Sequence, residues 1–489
     1  MNPENKHHRS ILQRIAENAM RERGLLPEFS AEVRDELRRI QNAAQPGNGP
    51  VRDLRHAPWA SIDNDDSRDL DQLTMAEPMP GGGIKILVAV ADVDSLVRDG
   101  TAIDLHARHN TTSVYTAARI FPMIPELLST GLTSLNPDED RHAVVVEMAV
   151  DALGELQASE IYQARVTNHA QLAYNSVAAW LDGAGAAPEA LAAVGGLEDN
   201  LRLQDRIAQR MKESRQAQGA LSLETIESKP VFEGEEIRAL ETEEKNRAKE
   251  LIENFMIAAN GVTARYLAAK KIPSIRRVVR IPKRWDRIVA IAAERRSPLP
   301  AEPDSRALEN FLLKQRSADP VGFPDLSLAV IKLLGSGEYI AEAPDGDAPG
   351  HFGLAVRDYT HSTAPNRRYT DILTQRQIKA ALQGRAPLYN LDQLEALARH
   401  CTEMEDVVNK VERQVAKSAA ALLLERRIGE RFDSIVTGAA DKGTWVRLLS
   451  LPVEGRLVAG FEGADVGDRV RVRLASVDVQ RGYIYFKKT

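Results

Sequence analysis

Five aspartates, Asp63, Asp65, Asp66, Asp69 and Asp71, fall within nine consecutive positions. They stand between the apolar Trp59 and Ile62 on one side and Leu73 on the other. Like charges crowded this closely cost free energy unless something positive sits among them. A hard divalent cation with oxygen ligands, magnesium above all, is the natural counterion; a solvated acidic loop is the alternative without chemistry. A calcium loop of the EF-hand type does not fit. Counted from Asp63, its sixth and twelfth positions need glycine and glutamate, and here they hold Arg68 and Thr74. Gly81-Gly82-Gly83 has no following Gly-Lys-Ser/Thr and reads as a hairpin turn, not a phosphate loop. The single cysteine, Cys401, excludes a cysteine-based zinc cluster and reads as packing.

The string SIDNDDSRDLDQL resembles the signature of the RNB family of exoribonucleases, the RNase II and RNase R type. That signature is isoleucine-aspartate, a five-residue gap, then aspartate-x-aspartate-aspartate. On this match Asp63, Asp69 and Asp71 are magnesium-site carboxylates, and Gln72 stands where the family has a fourth aspartate. An amide oxygen can coordinate a metal but brings no negative charge. Further blocks follow in the family's order between about Leu54 and Glu430. Thr112-Ser-Val-Tyr115, with Pro122-Met-Ile-Pro125 and Ser134-Leu135, is similar to the block whose tyrosine packs on the 3′-terminal nucleotide. Tyr174 in LAYNSVAAWL matches a second RNA-contacting tyrosine. Gly219-Ala-Leu-Ser-Leu223 places Leu223 where the family has a base-stacking aromatic. In YTHSTAPNRRYTD, Arg367 matches the catalytic arginine, with Arg368 and Tyr369 as its RNA-binding companions. Glu412 in NKVERQV matches a glutamate near the scissile phosphate.

The resemblance implies a processive 3′-to-5′ hydrolytic exoribonuclease that releases nucleoside 5′-monophosphates and leaves a short end product. Asp71, Arg367 and Glu412 would be its catalytic residues. Asp63, Asp69, Asp71 and Gln72 would hold one or two magnesium ions, with manganese a substitute. Two such ions stand ~3.5–4 Å apart, one activating water and one stabilising the leaving 3′-oxyanion. Arg367 would offset charge on the phosphoryl oxygens. Tyr115, Tyr174, Leu223, Arg368 and Tyr369 would grip the RNA; stacking on side-chain rings tolerates any base. The expected partner is single-stranded RNA with a free 3′ end, extending to structured RNA, bound by a monomer. A catalytically silent RNA binder on the same scaffold is the rival reading, supported by Gln72 and Leu223. A phosphodiesterase for small nucleotides would have no use for the C-terminal barrel described next.

The elements that must position these residues point to a mixed α/β fold. Residues 1–50 read as a small helical module, helix-turn-helix-like, with Ile11, Ile15 and Met20 on one stripe and Ser30 as an N-cap. Such a module leaves no room for a barrel before the catalytic domain and could let base-paired RNA approach closer. The stretch at 42–50 has linker composition. Residues 51–430 form the expected RNB catalytic domain. It includes strands at Ile84–Ala91, Ala143–Val150 and Ile161–Val166, and an amphipathic helix after Lys245. Helices are also predicted near 186–216, 303–316 and 324–334, then a strand-loop-helix at 351–384 and a long helix from Leu391 to Glu430. Five short alternating segments at 431–489 predict an OB-type RNA-binding barrel. The net charge of −6 is no bar to a polyanion if charge is segregated, and Lys270–Arg296 holds ten Lys or Arg against Asp286 and Glu294. No apolar run is long enough for a bilayer, and the N-terminus lacks a signal-peptide core, so the expected compartment is the cytoplasm.

Overall fold

Strand Ile84–Ala91 is apolar at nearly every position because both of its faces are covered. Successive residues point to opposite sides. Ile86, Val88 and Val90 pack under helices Tyr174–Leu181, Leu197–Ala217 and Arg247–Ala269. Leu87, Ala89 and Ala91 pack against Ala102–Asn110, Tyr369–Leu382 and Leu391–Leu424. The strand lies at the centre of a seven-stranded sheet. Its order is Val51–Asp53, Leu156–Thr167, Asp140–Val150, Ile84–Ala91, Gln72–Pro78, Ala60–Asp63 and Ala170–Ala173. The outermost pair at each end is parallel, and the pairs between are antiparallel. The computed structural model describes residues 7–43, 50–225, 227–243, 245–440, 443–464 and 466–489. Most of the linker expected at 42–50, and the start of the N-terminal arm, lie outside them.

The helix expected after Lys245 runs Arg247–Ala269, with Asn246 as its cap accepting from the Lys249 amide at 3.0 Å. The helix expected at 186–216 is broken into Glu189–Ala192 and Leu197–Ala217. Gly196 between them sits at φ +79, a left-handed turn that glycine takes without steric cost. The long helix starts on an Asn390–Gln393 capping box and ends at Leu424. A 3₁₀ turn and Gly429, at φ +96, then lead into the barrel. The basic stretch 270–296 is put to structural use in part. Arg276, Arg277 and Arg280, on and after strand Ser274–Val278, pair with Glu342, Glu405 and Glu338.

The N-terminal helices form as expected, at His8–Glu22 and Ala31–Leu37. The first buries Leu12, Ile15 and Ala19 against Val408, Val411 and Val415 of the long helix, so it shares a core with the body. The C-terminal strands are Arg431–Ala440, Gly443–Leu448, Glu454–Ala459, Arg469–Asp478 and Tyr483–Lys488. They close into a barrel in the order first, second, third, fifth, fourth, whose core continues onto Ala420, Ala421 and Leu424 of the long helix. The expected five-stranded barrel is therefore present. Among the described residues, no helix is long and apolar enough to cross a membrane.

Candidate active site

The aspartate loop leaves the end of strand Ala60–Asp63 and curls back on itself. The Asp63 carboxylate accepts from the Asn64 amide and the Ser67 hydroxyl, both at 2.9 Å. Leu70 is drawn into the core, its amide donating to Ser134 Oγ at 3.0 Å and its carbonyl accepting from the Leu135 amide. That pull takes Asp71 inside with it, leaving the residue 1% exposed.

A carboxylate buried so deeply needs partners, and Asp71 finds them 295 and 296 residues along the chain. The Asn366 amide donates to Oδ1 at 2.9 Å and Arg367 Nε to Oδ2 at 3.2 Å. Burial pushes the Asp71 carboxyl up to about 7; the Asp69 charge adds to the rise, and Arg367 and the Asn366 amide oppose it. Asp63 is raised too, chiefly by burial, against the pull of the Asn64 amide, Arg367 and Ser67. Burial works against the charge of Arg367, but Asp71, Tyr115, Asp63 and Asp69 outweigh it and raise the guanidinium's pKa.

Arg367 is anchored through its backbone. Its carbonyl accepts from the Ser113 amide at 3.0 Å and from Thr112 Oγ1 at 2.9 Å. Two residues on, Tyr115 donates its amide to Glu412 Oε1 at 2.7 Å and its hydroxyl to Asp69 Oδ2 at 3.0 Å. The long helix thus holds Tyr115 through Glu412, and Tyr115 holds Asp69. Burial raises the pKa of the Tyr115 phenol, so it stays a hydrogen-bond donor. Asp63, Asp69, Asp71, Tyr115, Arg367 and Glu412 therefore form one connected group.

Of the remaining candidates, Gln72 is buried at the start of strand Gln72–Pro78, on the face of Thr74 and Ala76, which bond Gln204 and Asn200 of helix Leu197–Ala217. Tyr174 and Leu223 line a cleft of about 820 Å³ together with Arg215, Lys249 and Arg316. Asp69, Tyr115 and Glu412 line a second, of about 1080 Å³, with Lys229 and Arg413. The two clefts meet at Asn64, which lines both.

One expected RNA contact needs correction, and the other carries a structural pairing as well. Tyr369 is 1% exposed and its hydroxyl donates to Asp104 Oδ1 at 3.1 Å, because the helix turns it into the core instead of the cleft. Arg368 caps the same helix and gives Nη2 to Asp371 Oδ1 at 2.8 Å, balancing a fully buried carboxylate. Conversely, Asn366, Ser67, Asn64 and Asp371 had not been singled out. Asn366 could have been suspected as the polar neighbour of Arg367. The cations of the two clefts come from distant helices and strands and leave no linear signal.

Oxygen donors of this kind suit a hard divalent ion. Burial together with Asp69's charge disfavours the ionised form of Asp71, so added positive charge is what would keep it ionised. Among the described residues, no three His, Cys, Asp or Glu side chains converge to metal-ligand spacing, and the cation among the three aspartates is Arg367.

Two family models match the chain. The RNB domain covers residues 51–384, and the RNase II-type exonuclease C-terminal S1 domain covers residues 430–489. The chain belongs to the RNB family. It is 32% identical over 471 residues to ribonuclease R of Escherichia coli (strain K12), a match covering 89% of this chain and 57% of that protein. The chain thus spans little more than half the length of that relative. Its fold matches Mycoplasma genitalium RNase R in complex with ribose methylated single-stranded RNA, with TM-score 0.87 and 22% identity over 98% of this chain and 78% of that one. The same protein in complex with double-stranded RNA gives TM-score 0.85, 22% identity, and 98% and 83% coverage.

Proposed function

We propose that this chain is a metal-dependent exoribonuclease, a cytoplasmic monomer that hydrolyses single-stranded RNA processively from a free 3′ end. Its products are nucleoside 5′-monophosphates and a short end product. The observation that carries this reading is the buried Asp71 joined to Arg367 and the Asn366 amide, beside Asp69 and Tyr115, which line one of the two clefts. The similarity to ribonuclease R over 89% of the chain supports the reaction class.

Asp63, Asp69 and Asp71 would hold magnesium, or manganese in its place, with Gln72 adding at most a neutral oxygen. When bound, the metal supplies an activated water and neutralises phosphate charge. The rest falls to the protein. Arg367 has a 46% exposed side chain, so N–H groups beyond the one held by Asp71 are free to meet phosphoryl oxygens. Glu412 fixes the Tyr115 backbone and so directs the phenol onto Asp69. The exposed ring of Tyr115 packs on the terminal nucleotide. Tyr174 and Leu223 take bases in the adjoining cleft, where Leu223 offers apolar contact without a stacking ring.

The test is a time course on 5′-labelled single-stranded RNA with magnesium, beside EDTA and Asp71→Asn controls. One short end product, abolished in both controls, is expected, with the variant at least ~100-fold slower. RNA that stays intact yet shifts in a binding gel would overturn hydrolysis and make the chain a silent RNA binder.

A further inference from the structure

Asn366 joins the site through its backbone, but the proposed reaction leaves its side chain without work. The residue is fully buried and follows Pro365 in the turn that leads to Arg367. That turn is tightly held. The Arg367 and Arg368 amides donate to the Ala364 carbonyl at 3.2 and 3.0 Å, and the Ala364 amide donates to Asp371 Oδ1 at 2.8 Å. One nitrogen of the buried Asn366 side chain, Nδ2, has no hydrogen-bond partner among the described residues. Of the side chains with such an atom, Asn366 alone belongs to a residue that bonds an aspartate of the cluster, its backbone amide donating to Asp71. A buried polar atom left unbonded costs free energy, and in a native protein it marks a water, an ion or a catalytic role.

Which end of the carboxamide is left over follows from Thr133. Its Oγ1 lies 2.6 Å from Asn366 Oδ1 and 2.8 Å from the Leu128 carbonyl oxygen. The hydroxyl has one proton to give, so it cannot donate to both. Given to Asn366, the proton leaves the Leu128 contact unused and an N–H group orphaned. Turning the carboxamide half a turn about its Cβ–Cγ bond exchanges two ends of the same shape. The hydroxyl then donates to Leu128 and accepts from the Asn366 NH₂ group, so both short contacts are hydrogen bonds. The atom left over is now the carbonyl oxygen, and an orphaned oxygen is satisfied by a cation or by a water that a cation holds. Among the described residues no three acids converge to metal-ligand spacing, so a hard cation here needs oxygens other than carboxylates. Side-chain amide oxygens are ordinary ligands of such ions.

We propose that Asn366 is a further ligand residue of the magnesium site, its side-chain oxygen turned to the ion that Asp63, Asp69 and Asp71 hold, directly or through one of the waters magnesium keeps. It rests on the metal-dependent reading given above. The oxygen is neutral, so it fills the shell without adding to the repulsion among the aspartates. Thr133 is the positioning residue: by accepting from the NH₂ group it keeps the oxygen on the side of the ion.

The experiment measures Mn²⁺ binding to the full chain without RNA, following the free ion by electron paramagnetic resonance, and single-stranded RNA binding separately in EDTA. Asn366→Leu keeps the backbone amide that holds Asp71, and a side chain of similar size, but removes the oxygen. It is expected to bind Mn²⁺ roughly tenfold more weakly, with RNA affinity in EDTA as in the wild type. Asn366→Asp exchanges the neutral oxygen for a charged one and should bind Mn²⁺ roughly tenfold more tightly. Thr133→Val lets the carboxamide turn over and should weaken Mn²⁺ binding by about two- to threefold, a loss that Asn366→Leu in the same chain does not deepen additively. Wild-type Mn²⁺ affinity in Asn366→Leu overturns the proposal. So does a loss of RNA affinity in EDTA in its place, which would mean that the leftover atom is an N–H group facing phosphate. Should Asn366→Leu melt below the wild type in EDTA, Asn366→Asp decides: tighter Mn²⁺ binding upholds the proposal and unchanged binding overturns it. A wild type that binds no Mn²⁺ would sink the metal-dependent reading and this proposal with it. A wild type that binds the ion, with both Asn366 variants alike, would sink this proposal alone.

Discussion

Asp71 is an acid whose surroundings favour its neutral form, and this has a measurable sign. An aspartate titrates near 3.9 in an unfolded chain, and burial lifts Asp71 to about 7 here. The group's contribution to stability is therefore present below about pH 4 and lost as pH rises through 7. In EDTA, the melting temperature of Asp71→Asn minus that of the wild type should climb between pH 4 and 7, then level off. A difference that does not move with pH would refute the burial of this charge. Gln72 gives a second prediction. Gln72→Asp should lower the half-saturating magnesium concentration roughly tenfold, since carboxylate count tunes such sites. Without metal it should melt lower than the wild type, one more acid having joined the cluster. Magnesium titrations of activity and melts in EDTA would check both halves. The acids themselves were legible, because five charges in nine positions are conspicuous in any sequence. Spacing alone did not show their cation: Arg367 came from the family resemblance, and its bond to Asp71 exists only through folding.

At the scale of elements, helix Tyr369–Leu382 does most to place the arginine. It is buried along nearly its whole length, and Asp371 in its first turn accepts from the Ala364 amide at 2.8 Å and from Arg368. Asp371→Ala would leave the Arg368 guanidinium without its carboxylate and free the turn that carries Asn366 and Arg367. The expected loss is about 3–5 kcal/mol in urea unfolding, accompanied by a fall in kcat; wild-type stability would show the pair to be idle. Apolar periodicity predicted the helix after Lys245 and the strands well, since their burial is written in every third or second residue. It could not show that Tyr369 turns inward. A tyrosine after two arginines looks the same whether its hydroxyl meets Asp104 or RNA.

Across the whole molecule, the barrel is joined to the body in sequence through the long helix, by core packing on Ala420, Ala421, Leu424 and Leu240, and by the pair Arg447–Asp325, 122 residues apart. The ion pair joins the barrel to the helix whose Pro324 lines one cleft, while Val453 and Glu454 of the barrel side line the other. Arg447→Ala should loosen the barrel where it meets helix Phe323–Leu334, leaving its packing on the long helix in place. Limited proteolysis near Glu425–Gly429 should then run about tenfold faster, with short-RNA hydrolysis little changed; an unaltered cleavage rate would mean that the long helix alone fixes the barrel.

By itself the sequence determined a crowded acid cluster, the strands and helices, and the five-stranded end, because each rests on local spacing: acids close together, apolar periods of two or near four, turns rich in glycine. Only the tertiary structure decided which groups meet. It brought Arg367 to Asp71, turned Tyr369 into the core, and set Tyr174 and Leu223 in a neighbouring cleft. Those outcomes depend on strand register and on contacts between residues hundreds of positions apart, and the free energy that selects them belongs to the packed whole and to no segment of the chain.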